Sequence, residues 1–469
     1  MVHRYKNGGY NIVLDVESGA VHVADDLAYE LIPLMEGYIK KDSKPEERLP
    51  DEVLETILAD PSVRELADRF SPDAVRESLE ELKSLVDSDA LFSEDTYRAY
   101  VGSLANRPTV VKALCLHVAH DCNLSCKYCF ASEGEYKGKR ELMSLEVGKK
   151  ALDFLIENSG SRRNLEVDFF GGEPLMNWQV VKELVEYGRR REKEADKNFR
   201  FTLTTNGVLL NDEILEFANR EMSNIVCSID GRKEVHDAMR PFRGGQGSYD
   251  RVLPGFKKVA ASRNQNNYYV RGTYTHFNTD FSRDVIHLMD EGFEQISVEP
   301  VVAPPEMDYA IKEEDVPGLL EQYDLLADEI IKRRKEGHFV NFFHFMIDLE
   351  QGPCVAKRLS GCGSGCEYLA VTPTGDLYPC HQFVGNTDFL MGNVFEGIKR
   401  TDLRDSFKAC NVYTKESCDT CFAKFYCSGG CAANSYNFSG DINGTYDIGC
   451  QLQRKRVECA IRIKAQTSE

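Results

Sequence analysis

Between residues 108 and 335, short apolar runs alternate with stretches of helical periodicity, and this alternation constrains the fold more than any other feature of the chain. Strands are expected at Thr109–Val118, Leu165–Phe170, Phe201–Thr205, Asn224–Ile229, Tyr268–Thr275 and Gln295–Glu299. Helices are expected at Leu145–Asn158, Trp178–Arg191 and Asp212–Asn219. Strands joined through helices pair in parallel, and the helices cover the outer face of the sheet. In such folds chemistry collects at the C-terminal ends of the strands.

The run Asp121-Cys122-Asn123-Leu124-Ser125-Cys126-Lys127-Tyr128-Cys129-Phe130 lies at such an end, directly after the first strand. Its spacing is Cys-x3-Cys-x2-Cys, with an aromatic residue, Tyr128, before the third cysteine. Three thiolates on one loop can hold three irons of a [4Fe–4S] cube. No fourth cysteine is close by, so the last iron keeps an open position. A zinc loop is the bland alternative, but structural zinc sites are usually closed by four protein ligands in paired knuckles.

Here the chain resembles the radical S-adenosylmethionine (SAM) enzymes, in which SAM chelates the open iron through its amine and carboxylate. The resemblance implies an α/β fold, a partial (β/α)6 barrel over residues 108–335, and a cofactor-binding set that includes Tyr128. Gly171-Gly172-Glu173-Pro174 follows the second strand and matches a motif of that family. Gly171 and Gly172 would admit SAM close to the backbone, and Glu173 would accept from its amine. Asn206 and Ser228, at the ends of the third and fourth strands, are implied contacts to the ribose and carboxylate, while Asp230 would reach toward substrate. A guanidinium suits a carboxylate. Arg240 and Arg271 therefore compete for that of SAM, and either can instead be a structural ion pair. Glu299 resembles the sixth-strand end beside the adenine or ribose.

A second cysteine system fills the C-terminal region, residues 345–469. It reads Cys418-x2-Cys421-x5-Cys427-x3-Cys431, with Cys450 eighteen residues on and Cys362-x12-Gly375-x4-Cys380 upstream. This resembles the SPASM domain, which carries two auxiliary [4Fe–4S] clusters, making three clusters in all. The resemblance assigns Cys418, Cys421, Cys427 and Cys450 to one auxiliary cluster and Cys362, Cys380 and Cys431 to the other. Cys354 or Cys366 can supply the missing ligand, or both are free and an iron is left for a substrate thiolate. A multi-zinc ribbon is the alternative, since paired cysteines suit zinc too. His381 follows Cys380 where anaerobic sulfatase maturases carry an aspartate base, and is a candidate base or a donor to a cluster sulfur. Cys115, Cys227, Cys410 and Cys459 fit no ligand spacing and read as buried small hydrophobes.

Residues 1–95 form a further unit. Two strands, Tyr10–Val16 and Ala20–Val23, join at Glu17-Ser18-Gly19 as a hairpin. Three helices follow. The first is capped by Asp25 or Asp26, the second carries Val53, Leu54, Ile57 and Leu58, and the third starts at Ser71-Pro72-Asp73. The charged stretch Lys40–Arg48 reads as a surface loop, and Glu306–Glu336 as a connecting helical segment. A hairpin with three helices is winged-helix-like. It resembles the domain that recruits leader sequences of ribosomally made peptides, where the leader adds as an extra strand. An ordinary α/β appendage is the alternative.

Composition narrows the partners. The net charge of −19 is unsuited to nucleic acid, whose binding rests on neutralising phosphates. No apolar run approaches the ~20 residues that span a bilayer, and the N-terminus lacks a secretory signal. A cytoplasmic location without membrane contact is expected, and sixteen cysteines there argue for metal ligation over disulfides.

Over nearly its whole length the chain is similar to the SCIFF (six cysteines in forty-five residues) maturases. The likeness extends from Tyr10 through Gly361–Pro373 to the run Asp376–Gly385. It implies thioether links between a cysteine sulfur and a carbon of another residue, typically threonine, in a Cys-rich precursor peptide. An external one-electron reductant reduces the first cluster, SAM is cleaved, and the resulting radical takes hydrogen from the acceptor residue. A sulfatase-type maturase is the rival enzyme, but it explains neither the N-terminal unit nor His381. A radical enzyme of tRNA would want a basic surface. An iron–sulfur carrier or a peptide-binding module leaves Cys122, Cys126, Cys129 and Glu173 without a purpose.

Overall fold

The computed structural model describes residues 1–106, 108–132, 134–136, 138–349 and 354–467. At its centre six parallel strands stand in chain order: Ala113–His120, Asn164–Gly171, Asn198–Thr205, Met222–Ser228, Tyr268–Tyr274 and Gln295–Pro300. Their register pairs Cys115 with Asp168, Thr202 with Asp168, and Ser228 with Arg271. Helices Leu145–Asn158, Trp178–Ala195, Asp212–Glu221, Tyr249–Ser262 and Ser282–Asp290 cover the outer face. Alternate residues such as Leu165, Val167 and Phe169 are buried against them, in one continuous core. The sheet is open, as a partial barrel requires. The last two of these helices lay outside the sequence expectation, because Pro254 and Gly255 interrupt one and the other spans only nine residues.

Neither edge of the sheet stops at the sixth strand unit. Asn341–Phe342 extends it in parallel beyond Gln295–Pro300. On the other side Tyr368–Val371 pairs in parallel with Ala113–His120, and Asp376–Tyr378, Gly392–Asn393 and Gly397–Ile398 continue antiparallel. The cysteine-rich region is thus hydrogen-bonded into the sheet rather than appended to it. It is also less irregular than its sequence suggests. It closes with a 21-residue helix, Asp447–Thr467, that packs on Val316–Lys335. Val457, Ala460, Ile461 and Ile463 are buried there among charged neighbours, and the polar composition hid their periodicity.

The N-terminal unit has three antiparallel strands, not two, because Val2–Asn7 pairs with Tyr10–Asp15 ahead of Val21–Ala24. Gly8 and Gly9 both hold positive φ in the connecting turn, as a type I′ hairpin demands. Asp25 caps the first helix through a bond from the Ala28 N–H. Between the expected second and third helices stands another, Pro61–Phe70, capped by Asp60. Lys40–Arg48 is not wholly a surface loop: Pro45–Arg48 is a helical turn, and the Arg48 guanidinium is buried against Asp89.

Candidate active site

The cysteine loop is built by its neighbours. Gly171 has φ +121°, and a Cβ there would stand 2.3 Å from the Ala119 carbonyl oxygen; one on Gly172 would meet that of Asp121 at 2.2 Å. The amides of Gly172 and Glu173 donate to those same carbonyls at 2.8 and 2.9 Å. The two glycines therefore allow the second strand to grip the base of the loop. From the other side the Ser125 and Lys127 amides donate to the carbonyls of Pro241 and Met239, both at 2.9 Å. Cys122, Cys126 and Cys129 are partly buried and line one cavity of about 380 Å³. Its wall includes Gly171, Gly172, Asn206, Ser228, Arg240, Arg271, Glu299 and His381.

Three residues stand differently from the sequence expectation. Glu173 is fully buried and accepts from the Thr205 hydroxyl (2.7 Å) and from the amides of Asn206 (2.7 Å) and Leu175 (3.0 Å). Three acceptor positions of its carboxylate are thus taken by the protein, joining the second strand end to the third, and burial lifts its pKa to about 7. Asp230 is also fully buried, behind the cavity wall instead of in it. It accepts from the Tyr128 hydroxyl (2.8 Å to each oxygen) and the Thr273 amide (3.2 Å). Arg240 donates to the Tyr128 hydroxyl at 2.8 Å and lies 3.9 Å from Asp230. Tyr128, Asp230 and Arg240 form a network under the loop, which fixes the loop and leaves Asp230 no path to a substrate.

Other groups stay open to the cavity. Asn206 turns its amide toward the Cys122 sulfur (3.5 Å) and the Asn123 oxygen (2.7 Å). The Nε of Arg240 is buried without a partner. Arg271 pairs with Glu299 at 2.9 Å; burial opposes that charge, but Arg271, His344 and Arg456 hold Glu299 down to about 2. His381 faces the barrel from the cysteine-rich region, its Nδ1 3.1 Å from the Tyr368 hydroxyl and its ring beside Phe130 and Phe170. Burial lowers its pKa to about 4, so the imidazole is neutral at pH 7.

A second cavity, of about 580 Å³, is lined by Cys418, Cys421, Cys427, Cys431 and Cys450. It shares Glu299, Pro300, Val302 and Asn434 with the first. Cys362 and Cys431 lie close enough to Cys380 for their charges to raise its thiol, after burial as the main cause. Cys366 is buried with its sulfur 3.2 Å from the Arg404 carbonyl, whereas Cys354 is exposed ahead of the Val355–Ser360 helix. Neither lines the first two cavities. Cys115, Cys227 and Cys459 are buried as expected, and Cys410 partly so.

Residues 116–290 match the model of the Radical SAM superfamily. This stretch carries a radical SAM domain. Among curated proteins, an uncharacterised protein of Methanocaldococcus jannaschii, MJ0907, is 31% identical over 145 residues, 31% of this chain and 47% of that one. The radical SAM cyclopropyl synthase TigE of Paramaledivibacter caminithermalis is 21% identical over 78% of each chain. Among solved structures, anSMEcpe with bound AdoMet overlays with a TM-score of 0.64 at 20% identity, covering 76% of this chain and 98% of its own. Streptococcus suis SuiB bound to S-adenosylmethionine overlays at 0.52 and 16% identity over 96% and 98%, N-terminal unit included. A radical SAM domain uses SAM and a [4Fe–4S] cluster, and the donor set fits both. Three thiols converge on the cavity, and no three Cys, His, Asp or Glu side chains among the described residues gather tightly enough to share a single ion. An iron–sulfur cube takes one thiolate per iron and spreads its ligands in that way. A buried, unpartnered guanidinium Nε and the Asn206 amide supply donors beside it. Burial holds the Cys122 and Cys126 thiols up at about 12 and 11, so loading a cluster must expel their protons. Among the described residues no helix is long and apolar enough to cross a membrane.

Proposed function

We propose that this radical SAM protein is a SPASM-type maturase that forms thioether cross-links in a cysteine-rich, ribosomally made precursor peptide. The observation that carries the reading is the shared wall. The cavity of Cys122, Cys126 and Cys129 adjoins that of Cys418, Cys421, Cys427 and Cys450 across Glu299, Pro300, Val302 and Asn434. A substrate held there can give a hydrogen atom on one side and an electron on the other. When bound, the cluster and SAM supply a carbon-centred radical that removes hydrogen from an unactivated carbon, chemistry no side chain performs.

The chain's own residues hold and orient. Cys122, Cys126 and Cys129 ligate the first cluster, with the Asn206 amide toward the Cys122 sulfur. Ser228, Arg240 and Arg271 present hydroxyl and guanidinium donors to SAM. Cys418, Cys421, Cys427 and Cys450 hold one auxiliary cluster, and Cys362, Cys380 and Cys431 the other. The fourth position of that second cluster would be filled by Cys366, which lines a small cavity with Cys362, or by Cys354, or left open for a substrate thiolate. His381, on the wall of the first cavity, would serve as a base or as a donor to a cluster sulfur. The leader would pair with the Val21–Ala24 edge of the N-terminal sheet, where Val23 is exposed. An external one-electron reductant is required.

Anaerobic coexpression with a cysteine-rich precursor, followed by mass spectrometry, tests the reading. The expected product has lost two hydrogens and one alkylatable thiol per link, and Cys126→Ala yields none and no 5′-deoxyadenosine. Turnover by Cys126→Ala would defeat it. Modification of a sulfatase-derived peptide in place of the precursor would transfer the protein to the sulfatase maturases, toward which the anSMEcpe fold also points.

A further inference from the structure

One ionisable side chain in the first cavity has no part in the function just described. Asp168 sits on the cavity face of the second strand, three residues before Gly171 and so about 10 Å deeper in the barrel. Its Oδ1 accepts from the Thr204 hydroxyl at 3.1 Å, and its Oδ2 takes no hydrogen bond from a described residue. The other buried carboxylates here are fully engaged. Glu173 has two amides and a hydroxyl, Asp230 an amide and a phenol, and Asp284 the Arg232 guanidinium. Asp168 alone among these four keeps an oxygen for the cavity.

Its surroundings are nearly without charge. Cys115 and Tyr136, Tyr368 of the added strand, and Thr204 are neutral at pH 7, and the one cation in reach, Arg271, is bound to Glu299. Burial raises the Asp168 pKa to about 7 against the pull of Thr204 and Arg271. Near neutrality the carboxyl is therefore protonated in a large share of molecules and can donate a hydrogen bond as well as accept one.

We propose that Asp168 is a substrate-positioning residue whose Oδ2 edge binds the hydroxyl of the acceptor residue and so fixes the adjacent carbon for hydrogen removal. The proposal rests on the cross-linking reading and names the polar class of side chain that reading accepts. The cavity position suits a hydroxyl-bearing side chain entering past the cysteine loop, with His381 and Tyr368 on the wall.

The test measures cross-linked peptide formed per 5′-deoxyadenosine released, from pH 6.5 to 8.5, in the full-length reconstituted protein. Wild type should keep its coupling across this range, because the carboxyl can donate to the hydroxyl when protonated and accept from it when ionised. Asp168→Ala should lower the ratio about ten- to a hundredfold at pH 6.5. Asp168→Asn, which keeps the shape, the acceptor for Thr204 and a donor at every pH, should couple with a flat profile. An Asp168→Ala ratio equal to wild type, or an Asp168→Asn ratio as low as that of Asp168→Ala, would overturn the assignment. A wild-type protein that releases 5′-deoxyadenosine yet never removes hydrogen from the peptide would defeat the cross-linking reading itself, a result distinguishable from the other two.

Discussion

Single residues here act through the hydrogen bonds they complete, and His236 shows how strongly. It is fully buried, with Nδ1 accepting from the Asp230 amide at 3.3 Å and Nε2 at 2.9 Å from the Ser248 hydroxyl, which itself donates to the Arg240 carbonyl. Burial, then the Arg240 charge, depress its pKa to about 3. An unfolded histidine titrates near 6.5. Below that pH the unfolded chain binds a proton that the folded one refuses, so stability is lost as pH falls from 6.5 toward 3. Between pH 6.5 and 4.5 the loss is about 2 kcal/mol. Urea midpoints at both pH values should fall less in His236→Gln than in wild type, and an equal fall would refute the linkage. Arg240 was legible in the sequence as a partner for a carboxylate. That His236 and Arg240 brace Asp230 and Tyr128, and leave Asp230 out of the cavity, depends on side-chain directions that a sequence does not carry.

Elements decide where the cysteine loop stands. The sequence places it after the first strand and puts Gly-Gly-Glu-Pro after the second, because strand periodicity and breakers are local properties. The grip between the two is not local. It needs Gly171 and Gly172 against carbonyls some fifty residues upstream. Gly171→Ala combines a left-side φ with a 2.3 Å clash on backbone, and strain at such a position costs roughly 1–3 kcal/mol alone. The loop is the softer partner and should move. Gly171→Ala is expected to lose iron at the first cluster and the change that SAM causes in its electron paramagnetic resonance spectrum, while far-UV circular dichroism stays native. An unaltered response to SAM would refute the grip. The Asn341–Phe342 and Tyr368–Val371 strands escaped detection because each is short and earns its place only through a partner distant in sequence.

On the scale of the molecule, the N-terminal unit and the cysteine-rich region are one body. The Lys424 ammonium, between Cys421 and Cys427, is almost fully buried and donates to Glu17 at 3.3 Å and Asp95 at 3.4 Å. His3 stacks on Phe422 at 3.5 Å, and Tyr5 donates to the Glu458 carbonyl at 3.0 Å. Removing residues 1–95 would strip that buttress from the auxiliary cysteines as well as any leader site, so point changes on the Val21–Ala24 edge are the cleaner probe of peptide binding. Lys424→Met leaves the buried Glu17 only the Met1 ammonium as a cation and takes one from Asp95, a change that costs about 1–3 kcal/mol. Both the thermal midpoint and the iron content should fall, and retention of both would show that the contact carries no weight. Local chemistry in the sequence determined the strands, the cysteine spacings and the radical SAM motif, since each is written in neighbouring residues. Only the tertiary structure decided how Glu173 and Asp230 are hydrogen-bonded, that His381 and Asp168 share a cavity, and that the cysteine-rich region is sewn into the sheet. Those outcomes depend on contacts between residues far apart along the chain, which packing alone selects.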